Sequence, residues 1–226
     1  MERIAIYTCI TGGYDDLHQP YAPDGDDFDF ICFVEKGSPL LTADTGLWQV
    51  RELPVSYGNA QLDSRYPKMH PHILLPEYEY SVWIDGNILI LDSTLFDAAR
   101  RCREAGSSWA GVSHPSRDCV YAEARKCRDM GYYGWFKLFN IWATLAVNNI
   151  PLHDGLLENN LIFRAHNMPL VIDFNDAWWD CFKNFCRRDQ ISAPLCFKRT
   201  GLKWDYLLPR GQNCRNNPGF KYLLHK

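Results

Sequence analysis

The sequence predicts an α/β fold in which helices cover a mainly parallel sheet. Short apolar runs of strand length alternate with stretches that carry apolar residues at helical spacing, and this alternation is typical of parallel sheets. The chain has 226 residues, of which 46% are hydrophobic and 14% aromatic, which is enough for one substantial core. We therefore expect a single domain over residues 1–226.

The first half of the sequence carries most of the predicted strands. Each is a short apolar run bounded by turn signals. The runs cover residues 3–9, 28–34, 48–53, 80–84, 87–91 and 109–113. A short helix over residues 59–66 is predicted to end at Pro67, and a second helix begins after Ser93 and is closed by Gly106.

The second half is predicted to be more helical. Its helical patterns cover residues 119–130, 135–147 and 169–187, a short strand covers residues 161–164, and the tail from Leu202 onward is predicted to be irregular. Ligands of parallel α/β sheets bind at the carboxyl ends of the strands. The polar residues that follow each strand are therefore the candidates for chemistry.

Composition excludes several classes of function. The net charge of -3 gives no basic field for a nucleic-acid backbone. No apolar run approaches the ~20 residues of a membrane span, and the N-terminus carries no signal-peptide pattern. The nine cysteines are scattered without a Cys-x-x-Cys pair, which disfavours a zinc site. Free thiols indicate a reducing compartment, so we expect a cytoplasmic protein.

The most informative segment is Trp83-Ile84-Asp85-Gly86-Asn87. Asp85 and Asn87 offer hard oxygen ligands to a divalent cation, and Gly86 lets the backbone approach a diphosphate closely. Such a cation would neutralise charge on a leaving nucleoside diphosphate. The alternative is an ordinary Asp-Gly-Asn turn between the two strands of a hairpin.

Two further segments suggest a nucleotide. After the first strand, Tyr14 is placed to stack on a base and Asp15 to accept a hydrogen bond from a ribose, although the dinucleotide fingerprint is absent. Arg65 and Lys68 are suited to phosphate oxygens. The alternatives are a tight surface turn for the first segment and a solvated basic turn for the second.

Three later segments combine charged and polar groups that packing does not require. They suit the recognition of sugar hydroxyls or the orientation of a base. Their candidate residues are His114, Arg117, Glu123, Glu158, Arg188, Asp189 and Gln190. The alternative is that two of the aspartates are helix caps. Asp118 would cap the helix after residue 119, and Asp189 would cap the helix that begins after residue 189.

Taken in order, the motifs resemble one family of glycosyltransferases, whose plant members are linked to turgor regulation and mucilage (the TOD/MUCI-like type). They read Y-T-x-I-T-G-G-Y-D, D-F-I-C-F, R-x-x-K-x-H-P-H, W-I-D-G-N, H-P-x-R-D-C-x-Y-x-E, G-L-x-E-N-N-x-I-x-R-x-H-N and R-R-D-Q-x-S. The resemblance runs from about Ile4 to about His225. It implies a GT-A fold with a Rossmann-like central sheet, a nucleotide-binding half over about 1–115 and an acceptor and sugar half over about 116–226.

The resemblance also implies roles for individual residues. Asp85 and Asn87 match the Asp-x-Asp metal motif of the GT-A fold, with Asn87 in place of the second aspartate, and His225 matches a late metal ligand. The implied cofactor is Mn²⁺ or Mg²⁺. The predicted catalytic residues are Asp189, Glu158 and His114. The predicted substrate and nucleotide contacts are Thr8, Tyr14, Asp15, Phe33, Arg65, Lys68, Arg117, Glu123, Arg188 and Gln190.

The predicted function is transfer of a sugar from a UDP- or GDP-sugar to a glycan or lipid-linked acceptor, in the synthesis of surface polysaccharide. Peripheral membrane association is compatible with this function, whereas a nucleic-acid partner is not expected. Two alternatives stay open at this point. One is a hydrolase that uses paired carboxylates such as Glu158 and Asp189. The other is a non-catalytic sugar-binding module, which eight tryptophans and twelve tyrosines would suit.

Overall fold

A computed structural model describes residues 3–25 and 27–224 and shows a central sheet flanked by helices. Within these residues the main sheet has seven strands in the spatial order β3-β2-β1-β4-β7-β6-β8. A second sheet pairs β5 with β9. The strands are β1 (Ile4–Ile10), β2 (Phe28–Val34), β3 (Trp48–Glu52), β4 (Tyr80–Ile84), β5 (Ile88–Ile90), β6 (Trp109–Ser113), β7 (Leu157–Arg164), β8 (Asp205–Tyr206) and β9 (Phe220–Tyr222).

Helices cover both faces of the main sheet. They are α1 (Ala60–Met69), α2 (Pro71–Leu74), α3 (Thr94–Glu104), α4 (Val120–Asp129), α5 (Trp135–Val147), α6 (Pro169–Asn184) and α7 (Asp189–Thr200), with a 3₁₀ turn over Pro39–Leu41. Side chains of α1, α4, α5, α6 and α7 join the core on one face, and side chains of α3 join the core on the other. This layered arrangement is the predicted α/β class.

The sheet is mainly parallel, as predicted. β1 runs parallel to β2 and β4, and β2 runs parallel to β3. β7 is antiparallel to its neighbours β4 and β6, and β8 is parallel to β6. Six strands therefore share one direction, and β7 begins at the edge where the others end.

Burial is consistent with the position of β1 in the interior of the sheet, between β2 and β4. All seven of its residues are buried. Tyr7 and Cys9 face the core that α1 and the later helices cover, whereas Ile4, Ile6 and Ile10 face the core that α3 covers. Burial of one large apolar side chain stabilises a fold by roughly 1.5–3 kcal/mol. A strand apolar on both sides is stable only between two helical layers.

The structure differs from the sequence prediction at α1 and in the tail. Helix α1 continues through Pro67 to Met69 and ends before Pro71, so the prediction that Pro67 ends it was wrong. Asn59 caps the start of α1, because its side chain accepts a hydrogen bond from the Leu62 amide. The tail after Leu202 contains β8 and β9, which are too short to leave a periodic pattern.

The cysteines and the lengths of the helices bear on the environment of the protein. All nine cysteines are buried as free thiols, where they pack as small apolar groups. No helix within residues 3–25 and 27–224 combines the length and the apolarity that crossing a bilayer requires.

Candidate active site

The carboxyl edge of the main sheet gathers polar residues. Thr11 follows β1, Asp85 follows β4 and His114 follows β6. Glu158 lies at the same edge, because β7 runs in the opposite direction and begins there. Ligands of parallel sheets bind outside this edge, so the fold brings the predicted candidates to the expected place.

Residues 85–87 form a corner between the two sheets. β4 lies between β1 and β7, whereas β5 pairs with β9. The alternative of a simple hairpin turn is therefore wrong. The corner also touches the segment after β1, since a Cβ atom added at Gly86 would lie 3.3 Å from Asp15 Oδ2. Glycine at this position lets the two segments meet.

A buried lysine joins two carboxylates from distant parts of the chain. Lys68 Nζ on α1 lies 2.6 Å from Asp189 Oδ2 and 3.4 Å from Asp85 Oδ1. The Trp83 indole N–H also donates to Asp85 Oδ1, over 2.6 Å. The side chain of Lys68 has no exposed surface, whereas that of Asp85 is 26% exposed. We call Lys68, Asp85 and Asp189 the carboxylate–lysine centre.

Asp189 is a fixed negative charge. Burial alone would raise the pKa of Asp189, but Lys68, Arg65 and Arg188 outweigh burial and hold the pKa at about 2. Arg65 Nε lies 4.0 Å from Asp189 Oδ2. A carboxylate with so low a pKa is a weak proton acceptor. The geometry therefore favours an electrostatic or orienting role for Asp189 over that of a general base.

The glycine turn after β1 is held in place on both sides. Thr11 Oγ1 donates to the Ala60 carbonyl over 3.1 Å, and the Gly12 amide donates to Glu35 Oε2 over 2.8 Å. Gly12 and its neighbour have φ of 66° and 63°, in the left-handed region that favours glycine. The turn presents the exposed ring of Tyr14 at the same edge as the corner.

β7 is irregular where it reaches the site. Val112 pairs with Glu158 and Gly111 pairs with Ile162, so residues 159–161 are left without partners on β6. The side chain of Asn159 is buried, and its Oδ1 atom has no hydrogen-bond partner among the described residues. Bulges commonly re-aim side chains beside active sites. An unsatisfied buried acceptor costs about 1–3 kcal/mol unless water or a ligand pairs with it.

Glu158 is the carboxyl best placed to exchange a proton. It is buried, and Arg215 donates to its Oε1 from Nη2 over 2.8 Å and from Nε over 3.2 Å. Burial raises the pKa of Glu158, and Asp85 adds to this rise, whereas Arg215 opposes it. A carboxyl with a raised pKa is suited to general acid–base chemistry.

The segment around His114 is held by internal contacts. His114 Nδ1 accepts hydrogen bonds from the backbone amides of Ser116 and Arg117, at 3.2 and 3.0 Å. Its Nε2 faces Glu123 Oε2 at 3.5 Å. Glu123 in turn forms a close ion pair with Arg117. Both ring nitrogens of His114 are engaged, so the geometry supports a positioning role in place of the predicted catalytic one.

A cavity of about 490 Å³ opens between β7, α7 and residues 202–204. Asn159 and Gln190 lie in its wall, and Gln190 Oε1 is a second buried acceptor without a described partner. Trp204 contributes an aromatic surface. Gln190 directly follows Asp189 in the chain. Asn160, the neighbour of Asn159, accepts a hydrogen bond on its backbone carbonyl from the backbone amide of Asp85. The cavity wall thus includes the residue after Asp189 and a neighbour of the residue that pairs with the Asp85 backbone.

Three predicted nucleotide contacts lie in the interior. Thr8 and Phe33 are buried within β1 and β2, and the ring of Phe33 packs edge-on against Tyr7. Lys68 lies beneath Asp85 with no exposed surface. None of these side chains offers a free face to a base or a phosphate. The sequence did not reveal this because a residue near a strand end looks the same whether it faces the core or the edge.

The predicted metal site is poorly supplied with ligands. Asn87 is buried and donates its amide N–H to the Leu223 carbonyl over 3.1 Å, which ties the tail to the corner. Asp85 Oδ1 already accepts two donors. The described part of the chain holds no cluster of three or more His, Cys, Asp or Glu side chains suited to a metal ion. The third predicted ligand, His225, lies outside the described residues.

Sequence reasoning did not select four residues that shape the site. Trp83 could have been found, because residues two apart on a strand share a face and its indole must then lie beside Asp85. Arg215, Asn159 and Trp204 left no comparable signal, since their partners come from segments far away in the chain.

Comparisons with known proteins concern the family and the fold. The family model described as TOD1/MUCI70, glycosyltransferase-like domain matches residues 1–217. The probable hexosyltransferase MUCI70 of Arabidopsis thaliana is 24% identical over 235 residues, covering 93% of this chain and 40% of that relative. The apo structure of the bifunctional glycosyltransferase WbbM shares the fold, with a TM-score of 0.52 and 13% identity, over 92% of this chain and 39% of that one.

The chain thus spans about 40% of the length of this curated relative. The match of the family model covers most of the sequence. The chain belongs to the TOD1/MUCI70 family of glycosyltransferase-like domains.

Proposed function

We propose that this chain transfers a sugar from a nucleotide-sugar donor to a glycan or lipid-linked acceptor, in the synthesis of a polysaccharide. The observation that carries the proposal is the carboxylate–lysine centre: Asp85 and Asp189 meet over Lys68 at the carboxyl edge, beside the glycine turn. Membership of the family supports the transferase class. A hexosyl donor is part of the proposal, guided by the name of the Arabidopsis relative.

The donor nucleotide is assigned to the glycine turn. Tyr14 supplies an exposed ring for the base, and Asp15 lies at the corner, where it can accept a hydrogen bond from the ribose. Arg65 is partly exposed and lies beside Asp189. Its planar guanidinium offers paired donors to diphosphate oxygens. Arg65 thereby takes the role that the sequence had assigned jointly to Arg65 and Lys68.

In this proposal the carboxylate–lysine centre stabilises the charge that develops during sugar transfer. Positive charge develops at the anomeric carbon of the sugar as the nucleoside diphosphate leaves. Asp189 provides a negative charge fixed in place by Lys68, and preorganised charge of this kind stabilises a transition state without reorganisation. Glu158, with its raised pKa, is the proposed group for proton exchange with the acceptor hydroxyl.

The acceptor is assigned to the cavity lined by Asn159, Gln190 and Trp204. Two buried carbonyl oxygens without described partners suit the hydroxyl groups of a sugar, which donate hydrogen bonds. The ring of Trp204 suits the apolar face of a pyranose. We therefore propose that the sugar that receives the transfer stacks on Trp204.

The described residues do not supply a full set of ligands for a divalent cation at the corner, because no cluster of three or more His, Cys, Asp or Glu side chains lies there and Asp85 Oδ1 already accepts from Lys68 and Trp83. We assign no step to such a cation. Mn²⁺ or Mg²⁺ remains a prediction from the family resemblance. A cytoplasmic location likewise remains a proposal, which rests on the nine free thiols.

Thermal unfolding with UDP and GDP, each with and without Mn²⁺, tests nucleotide binding. A ligand at about 100 times its Kd stabilises the folded state by about 2.7 kcal/mol. We expect one of the two nucleotides to raise the Tm of the parent, and Tyr14→Ala to weaken this shift. A hydrolase needs no nucleotide, so the absence of any shift in the Tm with either nucleotide would contradict the proposal. A sugar-binding module predicts sugar binding that survives Asp85→Ala and Asp189→Ala.

A further inference from the structure

A groove beside the carboxylate–lysine centre is lined by cations. Its volume is about 420 Å³, and the charged residues in its wall are Lys137, Lys183, Arg187 and Arg188, with no carboxylate among the lining residues. We call these four residues the basic groove. Arg188 directly precedes Asp189 at the start of α7 and lowers the pKa of that carboxyl. The groove therefore adjoins the proposed reaction site.

Part of this positive charge is not neutralised by the protein. Lys183 Nζ pairs with Asp180 Oδ1 at 3.3 Å, near the surface. The guanidinium of Arg188 stacks on the ring of Tyr132, at 4.3 Å from the centroid, and interacts with the buried carboxylate of Asp189. Lys137 and Arg187 form no ion pair with a carboxylate of residues 3–25 or 27–224. A groove with two unpaired cations attracts an anion such as phosphate, to which arginine can donate paired hydrogen bonds.

The helix that contributes Lys137 also carries an exposed apolar face. On α5, Phe136 is 89% exposed, Phe139 is 57% exposed and Val147 is 81% exposed, and Trp135 is about half exposed. We call these four residues the aromatic face. The other side of α5 is buried, through residues such as Leu138. A soluble surface rarely groups so many large apolar side chains without a partner for them.

Basic side chains border the aromatic face. Arg125 and Arg128 lie over the ring of Trp135, at 4.9 and 3.4 Å from its centroid, and share one carboxylate, Asp129. Lys137 connects the aromatic face to the basic groove. Aromatic side chains flanked by arginine and lysine are typical of helices that lie at the surface of an anionic membrane.

We infer that the basic groove and the aromatic face form one binding site for an anionic lipid. The phosphate of the lipid lies in the groove, and the aromatic face enters the outer part of the bilayer. Soluble phosphate would use the groove and leave the aromatic face without a partner. A second copy of the chain, docked face to face, would bring two identical basic grooves together and so repel.

One part of the inference, the position of the acceptor sugar, rests on the proposed function. If the acceptor sugar is carried by a lipid phosphate, Arg188 places that phosphate next to Asp189 and brings the sugar toward the centre. Lipid binding itself needs no donor and no turnover. It can therefore be measured whether or not the chain transfers a sugar.

Flotation with lipid vesicles tests the inference. The parent chain is mixed with vesicles of phosphatidylcholine alone or with about 30% phosphatidic acid, at about 0.1 M salt. We expect the protein to float with the anionic vesicles and to remain in solution with the neutral ones. Two double variants address the two parts of the site: Lys137→Glu with Arg187→Glu, and Phe136→Ser with Phe139→Ser.

Lys137→Glu with Arg187→Glu is expected to lower vesicle binding by about tenfold or more, because each basic residue near an anionic surface contributes about fivefold. Phe136→Ser with Phe139→Ser is expected to lower it by about tenfold or more as well, because two large apolar side chains no longer enter the bilayer. Matched controls change exposed residues elsewhere: Lys36→Glu with Lys221→Glu for charge, and Ile73→Ser for an apolar side chain. The controls should bind vesicles like the parent. Circular dichroism and Tm establish that every variant is folded.

Three results would overturn the inference. One is a parent chain that does not bind anionic vesicles or binds neutral ones equally well. Another is stabilisation by inorganic phosphate without vesicle binding, which would indicate a site for a soluble anion. The last is a concentration-dependent dimer in light scattering that Phe136→Ser with Phe139→Ser dissociates, without vesicle binding by the parent. None of these results depends on the nucleotide experiment, so the two proposals can fail separately.

Discussion

Among the described residues, Lys68 and Arg164 are both buried without any exposed surface, and they are stabilised in different ways. Lys68 lies at the sheet edge between the carboxylates of Asp85 and Asp189. Arg164 lies at the end of β7, and its side chain is buried between the sheet and α6. It donates to the Tyr7 hydroxyl over 2.5 Å and to Asn175 Oδ1 over 2.9 Å.

The difference separates a structural site from a functional one. Arg164 is surrounded by neutral acceptors inside the core, and burial raises the pKa of Tyr7 to about 12 despite the nearby guanidinium. The carboxylate–lysine centre instead lies at the sheet edge, where Arg65 is beside Asp189 and Asp85 remains partly exposed. A charge at an accessible edge can act on a ligand, whereas a charge enclosed in the core can only stabilise the fold.

The largest expected effect belongs to the structural cation. Arg164→Ala leaves the Tyr7 hydroxyl and the Asn175 carbonyl without their donor and opens a cavity, so we expect a loss of about 3–5 kcal/mol in the free energy of unfolding. Urea denaturation measures this loss. The folded fraction should bind nucleotide like the parent. A loss below about 1 kcal/mol in the free energy of unfolding would show that Arg164 does not have the structural role assigned to it.

Buried histidines, one of them beside Arg164, predict that the stability of the fold depends on pH. Burial, aided by Arg164, lowers the pKa of His166 to about 4, and burial lowers the pKa of His70 to about 4 as well. The unfolded chain binds protons near pH 6.5 and the folded chain only near pH 4, so stability falls as the pH drops between these values. Unfolding by urea at pH 7 and at pH 5 should differ by about 2 kcal/mol for each histidine.

A variant that replaces His166 by Asn sharpens this test. Its stability should change less between pH 7 and pH 5 than that of the parent, since one of the buried histidines with a lowered pKa is gone. An equal change in both proteins would show that His166 is not held neutral in the fold.

The Lys68–Asp189 contact is expected to show coupling of intermediate size. Lys68→Met leaves two carboxylates close together, and the depressed pKa of Asp189 corresponds to about 2 kcal/mol of stability that is lost between about pH 4 and pH 2. Lys68 is one of three cations that lower this pKa, so in a double-mutant cycle Lys68→Met and Asp189→Asn should couple by roughly 0.5–3 kcal/mol. Additive losses would mean that the two groups do not interact.

The smallest effect is expected at the corner. Asn87→Ala removes one hydrogen bond to Leu223 and should lower stability by about 1 kcal/mol. If Asn87 only ties the tail to the corner, the affinity for Mn²⁺ measured by calorimetry will be the same as in the parent. A specific loss of Mn²⁺ affinity would show instead that Asn87 is a ligand, as the family resemblance implies.

Much of the fold followed from local patterns. The helix over Trp135–Val147 was predicted with its observed ends, because its apolar spacing is continuous and glycine precedes it. Pro67 misled the prediction because tertiary packing of α1 offsets the one hydrogen bond that a proline removes. The strands β8 and β9 depend on pairing with distant residues, which a single sequence does not display.

The candidate site was predictable only in part. The location of Asp85 followed from the rule that ligands bind at the carboxyl ends of strands. The contact of Lys68 with Asp189 joins residues 121 positions apart. The motif around each residue indicated what kind of chemistry the residue suits, but it did not indicate which residue lies beside it. For the same reason Lys68 was expected at the phosphates, whereas it lies under Asp85 with no exposed surface.

The most direct test of the central claim is turnover of nucleotide sugars by the parent chain and by Asp85→Asn and Asp189→Asn. Release of UDP or GDP from a panel of donors is measured with Asp44→Asn, an exposed carboxylate elsewhere, as the control. The account predicts that the parent and the control consume at least one donor, and that both centre variants are slower by about 100-fold or more while remaining folded. Parent-like rates in folded Asp85→Asn and Asp189→Asn would contradict it.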